Sequence, residues 1–127
     1  MTLTLELEPV PLARPRVNTT NRGRYLPKHC QQFLDSLRLL LRAAFHGKPY
    51  EVPLSVTLHF YRPRNPAARN YGDIDNLVKA VLDACNGVIW SDDKLIVELH
   101  CYKHKDAGKI ELEVIENVDQ NKQRQIV

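Results

Sequence analysis

Apolar and polar residues alternate along four stretches of this chain and recur at helical spacing along two others. In TLTLELE (2–8), Leu3, Leu5 and Leu7 fall on one face, the period of a half-buried strand. PLSVTLHFYRP (53–63) repeats the pattern with Leu54, Val56, Leu58 and Phe60, and Pro63 closes it. LIVELHCY (95–102) and KIELEVIE (109–116) alternate in the same way, and the DAG turn between them brings the two within reach of a hairpin. KHCQQFLDSLRLLLRAAFHGKP (28–49) instead carries Phe33, Leu37, Leu40, Leu41 and Ala44 at helical spacing, and Gly47 and Pro49 end it. A second helix starts at Asp73, a natural N-cap, and stops at Asn86 and Gly87. Its expected buried stripe is Ile74, Leu77, Val78, Val81, Leu82 and Cys85. The order β-α-β-α-β-β predicts an α+β fold (an α/β two-layer domain) in which a mixed four-stranded sheet carries both helices on one face. That domain covers residues 1–116, and NVDQNKQRQIV (117–127) reads as a polar, frayed tail.

Two basic loops interrupt the regular pattern. PVPLARPRVNTTNRGR (9–24) holds three prolines and Arg14, Arg16, Arg22 and Arg24, so it is irregular and longer than a plain connector needs to be. RNPAARNYG (64–72) adds Arg64 and Arg69, and Arg62 precedes it. Residues 1–70 carry eleven Lys or Arg against four Asp or Glu, and residues 71–127 carry seven against eleven. The net charge of +3 therefore conceals a basic half suited to phosphates and an acidic half suited to something else.

At 127 residues the chain has the usual size of one domain, with enough surface to bury a core. No apolar run reaches the ~20 residues that span a bilayer, and the N-terminus lacks the basic lead of a signal peptide. Cys30, Cys85 and Cys101 are widely separated and form no Cys-x-x-Cys pair, which argues against structural zinc. A soluble, cytoplasmic protein with reduced thiols is expected.

The stretch GDIDNLVKAVLDACNGVIWSDD (72–93) carries Asp73, Asp75, Asp83, Asp92 and Asp93 directly after the arginines. Asp75, Lys79 and Asp83 are four apart and share one face of the second helix, a spacing that also stabilises any exposed helix. Helix capping, however, needs one aspartate, whereas Asp73 and Asp75 flank a single residue and repel each other unless a cation lies between them. Asp92 and Asp93 sit in the turn before a strand, from which one of the pair can return to the helix start. Oxygen ligands from separate elements, open to water, suit Mg²⁺, with Mn²⁺ as its substitute. Beside arginine-rich loops such an ion would polarise a phosphoryl oxygen and help generate a hydroxide, and Lys79 would balance the charge that develops. The chemistry is metal-assisted phosphodiester hydrolysis.

The same residues resemble the signature of the RusA family of Holliday junction resolvases. Asp73, Asp75, Asn76, Lys79, Asp83, Gly87, Trp90, Asp92 and Asp93 match its pattern without a gap, and RPR (14–16) and NRGRYLP (21–27) are similar to the family's N-terminal region. The resemblance implies a homodimeric, Mg²⁺-dependent endonuclease that binds four-way DNA junctions and makes paired symmetric nicks in recombination and repair, with no organic cofactor. It implies Asp73, Asp75 and Asp93 as catalytic carboxylates and metal ligands, Asp92 as the second choice for the last, and Lys79 as the essential lysine. Arg14, Arg16, Arg22, Arg24, Arg62, Arg64 and Arg69 are then the DNA-binding candidates, with Tyr25 and Tyr71 as candidate wedges at the junction centre. Two rivals stand beside this reading: a non-catalytic nucleic-acid-binding module, and a nuclease for other branched DNA or RNA. A histidine metal site is not expected, because His59 and His100 read as polar residues on sheet faces and His104 falls past a strand end.

Overall fold

A single mixed sheet of four strands organises the computed structural model, which describes residues 1–12, 16–17, 24–25, 27–63, 72–105 and 107–117. Its strands are β1 (Thr2–Leu5), β4 (Leu54–Tyr61), β5 (Ile96–His104) and β6 (Ile110–Glu116). A two-residue ribbon, β2 (Arg16–Val17) antiparallel to β3 (Arg24–Tyr25), stands inside the first basic loop, where only irregular chain was expected. The helices are α1 (Lys28–Ala44) and α2 (Ile74–Cys85), so the expected order of elements holds.

The sheet order is β1-β6-β4-β5, with β4 parallel to β5 and antiparallel to β6. The hairpin expected between β5 and β6 does not form, because β4 lies between them. Burial explains the choice. Leu54, Val56, Leu58 and Phe60 of β4 are all fully buried. Each such side chain is worth about 1.5–3 kcal/mol in removed apolar surface, and a central strand collects that gain at all four positions. The corresponding face of β5 reads Leu99, Cys101, Lys103, which costs little at an edge. The β5–β6 connection therefore passes around the end of β4, where the Arg62 backbone accepts from Gly108 N (3.0 Å) and donates to the His104 carbonyl (3.2 Å).

Both helices cover the same side of the sheet: α1 packs on α2 and β1, and α2 packs on β5. The buried face of α1 is Cys30, Phe33, Leu34, Leu37 and Leu41. Leu40 and Ala44, expected in the core, are exposed. In α2 the buried positions are Leu77, Val78, Ala80, Val81, Ala84 and Cys85, whereas Ile74 is exposed and Leu82 half-buried. All three cysteines are free thiols, as expected; Cys30 and Cys85 are buried, and Cys101 is half-buried. Burial pushes the Cys85 thiol well up.

The outer sheet face is left to Ser55, Thr57, His59 and Tyr61 of β4 and their neighbours. Asn117, assigned to the tail by the sequence, is tied to the sheet: its backbone donates to the Pro53 carbonyl (2.8 Å), and its amide donates to Ser55 Oγ (3.0 Å) and Glu98 Oε1 (2.9 Å). No helix among the described residues is long and apolar enough to cross a membrane.

Candidate active site

The N-terminus of α2 is clamped from two sides, and the clamp places the first pair of aspartates. Gly72 adopts a left-handed backbone (φ 85°) that favours glycine. A Cβ at this position would lie 2.7 Å from Pro11 Cβ and 2.8 Å from Pro11 Cγ. Beyond Pro11, the Leu12 backbone donates to the Asn76 carbonyl (3.1 Å). From the other side, the Lys103 ammonium donates to the Gly72 carbonyl (2.7 Å). Neither Pro11 nor Lys103 was singled out from the sequence. Lys103 had one signal, as the charged residue ending the otherwise apolar inner face of β5.

Asp73 occupies the N-cap position with extended backbone, and its carbonyl accepts from Asn76 and Leu77 (both 3.2 Å). Its carboxylate makes no capping hydrogen bond, so the capping role expected for that side chain is not performed. In the first turn, Asp75 accepts from the Asn76 backbone N–H through Oδ1 (2.9 Å).

Beyond α2 the chain folds back through a turn built on Trp90. Gly87 N donates to the Trp90 carbonyl (2.7 Å), and Tyr50 bonds on both sides of Trp90, donating to Ile89 O (2.8 Å) and accepting from Ser91 N (3.1 Å). The buried indole donates to Asn86 Oδ1 (2.8 Å), and the Asn86 amide reaches Asp93 Oδ2 at 3.5 Å. Asn86, which the sequence suggests only as a helix stop, thus links the Trp90 indole to the Asp93 carboxylate. The two final aspartates separate by role: Asp92 caps a short 3-10 turn, Asp93–Leu95, by accepting from Lys94 N (2.9 Å), while Asp93 turns inward.

Asp75, Lys79, Asp83 and Asp93 line one groove between α2 and β5, with a volume of about 440 Å³. Its floor is apolar: Ile74, Val78, Leu82, Leu99 and Cys101. The helix face bearing Asp75, Lys79 and Asp83 therefore looks across a groove toward β5 instead of straight into solvent, and Ile74 and Leu82 leave the core to line it. Lys79 and Asp83 are 3.8 Å apart, but Lys79 is 64% exposed, so the pair is worth only a few tenths of a kcal/mol and leaves the ammonium largely in solvent. Asp73 is exposed and stands outside this lining.

Among the described residues, no three His, Cys, Asp or Glu side chains converge into a ready-made metal cage. The groove nonetheless fits Mg²⁺ by chemistry, since that ion takes one or two carboxylates and completes its shell with waters and substrate phosphates. Burial raises the pKa of Cys101, the one thiol in the groove.

On the basic side, Arg62 is half-buried at the end of β4, and the ribbon carries the backbone of Arg16 and Arg24. Arg14, Arg22, Arg64, Arg69 and Tyr71 lie outside the described residues, as do the side chains of Arg16, Arg24 and Tyr25. A family model for the endodeoxyribonuclease RusA matches residues 6–115. A search of curated proteins finds no match.

Proposed function

The chain belongs to the RusA family of endodeoxyribonucleases, divalent-metal-dependent enzymes that resolve Holliday junctions, and on that premise we propose that it cuts four-way DNA by paired symmetric nicks with Mg²⁺, as a homodimer, in recombination and repair. The observation that carries the proposal is the shared groove of Asp75, Lys79 and Asp93, drawn from two elements of the family-matched region.

Asp75 and Asp93 would hold the ion, with Asp73 joining from the helix start. When bound, Mg²⁺ supplies Lewis-acid stabilisation of charge on the scissile phosphate. Asn86, braced by the Trp90 indole, keeps the Asp93 carboxylate turned into the groove. The exposed Lys79 ammonium would stabilise negative charge on the phosphoryl oxygens as the bond breaks. Arg14, Arg16, Arg22, Arg24, Arg62, Arg64 and Arg69 hold the flanking phosphates, a contribution that weakens with salt. Two sites related by a two-fold axis suit two nicks in a two-fold junction. An exposed edge strand, with Ile74, Val97 and Leu99 exposed beside the carboxylates, supports self-association near the groove. Mn²⁺ would replace Mg²⁺, and no organic cofactor is required.

The test is a synthetic four-way junction incubated with protein and Mg²⁺, in competition with linear duplex at fixed salt. Wild type should nick two strands of like polarity, and Asp75→Asn should lose at least 100-fold in rate while junction binding persists or tightens. Full cutting by the variant would remove Asp75 from the metal site. Tight binding with no cutting by wild type at any pH would leave a non-catalytic binding module.

A further inference from the structure

β5 runs on to His104, past the strand end expected at Tyr102. On the outer face of the sheet the extension sets His104 Nε2 2.7 Å from His59 Nδ1. On the inner face it completes the row Leu99, Cys101, Lys103, with Lys103 beside Phe60 of β4 in register. Leu99 and Cys101 line the carboxylate groove, and Lys103 is the next residue of that row, at the end where α2 begins. There its ammonium donates to the carbonyl of Gly72, 31 residues earlier in the chain, at 2.7 Å.

On the strength of the nuclease reading above, we propose that Lys103 is a positioning residue for the metal site. Its hydrogen bond to Gly72 holds the backbone that carries Asp73 and Asp75 in the geometry that accepts Mg²⁺. The bonded oxygen belongs to the planar peptide unit that leads into Asp73, so fixing the oxygen restrains the φ rotation of Asp73. Gly72 calls for such a restraint, because glycine adopts either sign of φ with similar ease and must here stay at 85°. The Asp73 side chain makes no capping hydrogen bond that would fix the helix start from within. β5 also follows directly on the turn Asp93–Leu95. One strand therefore has Asp93 at its entrance and secures the segment before Asp73 and Asp75 near its far end.

Charge alone predicts the opposite sign. An ammonium near a cation site repels the cation, and removing it would tighten metal binding roughly two- to threefold through water and salt. Groups that orient metal ligands carry about 10- to 100-fold in metal affinity. Positioning outweighs repulsion, so loss of Lys103 weakens metal binding, and the sign of the change separates the two roles. Lys103 is exposed, so truncating it removes little buried surface and leaves the protein folded.

The experiment measures Mn²⁺ binding to the full-length protein without DNA, by paramagnetic resonance of the free ion, beside nicking of a four-way junction over a range of Mg²⁺. Lys103→Met should weaken Mn²⁺ binding about tenfold or more and raise the Mg²⁺ needed for half-maximal nicking by a similar factor. Its rate at saturating Mg²⁺ should stay within about threefold of wild type, because Lys103 acts on the ligands and not on the phosphate. Lys103→Arg keeps a cationic donor and should recover most of the binding. Lys109→Met removes a positive charge that pairs with Glu111 (3.2 Å) away from the groove, and should change neither quantity. Unchanged or tighter Mn²⁺ binding by Lys103→Met would overturn the proposal, as would a lost saturating rate with binding intact, or an arginine variant no better than the methionine one. Asp75→Asn distinguishes the two levels of the reading. If it weakens Mn²⁺ binding and Lys103→Met does not, only the positioning role falls; if it leaves Mn²⁺ binding unchanged, the metal site itself is misplaced and both fall.

Discussion

Replacing Gly72 by alanine tests whether the start of α2 is held by contact with Pro11, and Gly87 supplies the matched control. Both glycines have left-handed backbone, with φ of 85° and 81°. An L-residue in that region costs about 1–2 kcal/mol, offset by roughly 0.4–1 kcal/mol from the lower entropy of the unfolded alanine chain. At Gly87 a new Cβ meets nothing within 4 Å, so Gly87→Ala should cost only that backbone difference, about 1 kcal/mol. At Gly72 the same Cβ would stand 2.7 and 2.8 Å from two ring carbons of Pro11. Pro11 cannot swing aside, because the adjoining Leu12 is buried and its N–H is bonded to Asn76. Overpacking of this kind adds about 1–3 kcal/mol, so Gly72→Ala should lose about 2–4 kcal/mol in all. Urea unfolding of wild type and both variants measures the difference. If Gly72→Ala is no more destabilised than Gly87→Ala, the clamp reasoning fails. A Pro11→Gly change made in the Gly72→Ala background should recover at least half of the excess. The same clamp should appear in function: Gly72→Ala shifts Asp73 and Asp75 and should lower Mg²⁺ affinity, whereas Gly87→Ala should change it less.

Two further changes probe the second carboxylate and the core. Asn86→Ala should cut nicking roughly 10- to 100-fold, because residues that orient metal ligands carry that share, and raised Mg²⁺ should restore part of the rate; an unchanged rate and Mg²⁺ dependence would exclude Asn86 as the support of Asp93. Cys85 gives a pH signature: the unfolded thiol ionises near its ordinary value of 9.0, while burial keeps the folded thiol protonated. Its contribution is therefore complete below pH 9.0 and is lost as pH rises above it, by about 1.4 kcal/mol per pH unit. The stability of wild type should fall more steeply than that of Cys85→Ala between pH 9 and 10.5, and parallel slopes in denaturant titrations would refute the assignment.

How much could be read from the residues differs between elements and partners. The α2 boundary was legible because Asp73 and Gly87 are strong local signals, and the alternation of β4 was legible because its buried side reads Leu54, Val56, Leu58, Phe60 without interruption. The apparent hairpin of β5 and β6 was a false signal: a short link between alternating segments permits pairing but does not require it. Ile74 and Leu82 matched the periodicity of a buried stripe, yet periodicity reports a direction on the helix and not what lies opposite. They face the thin edge of the sheet, where β5 covers them incompletely. His104 was misplaced by two residues of strand, enough to hide its contact with His59.

The sequence alone determined the helices, the strands and the chemistry of their charged groups, because caps, turns and alternation are satisfied by neighbours a few residues away. It also determined the family, through an ungapped pattern of acids, lysine and glycine. Tertiary structure alone decided that β4 takes the centre of the sheet, that Asp93 lines the same groove as Asp75 while Asp92 caps a turn, and that Asn86 bonds to Asp93 and Lys103 to the start of α2. Those outcomes depend on contacts between residues distant along the chain, and they are settled by which arrangement buries the most apolar surface while leaving the polar groups partnered.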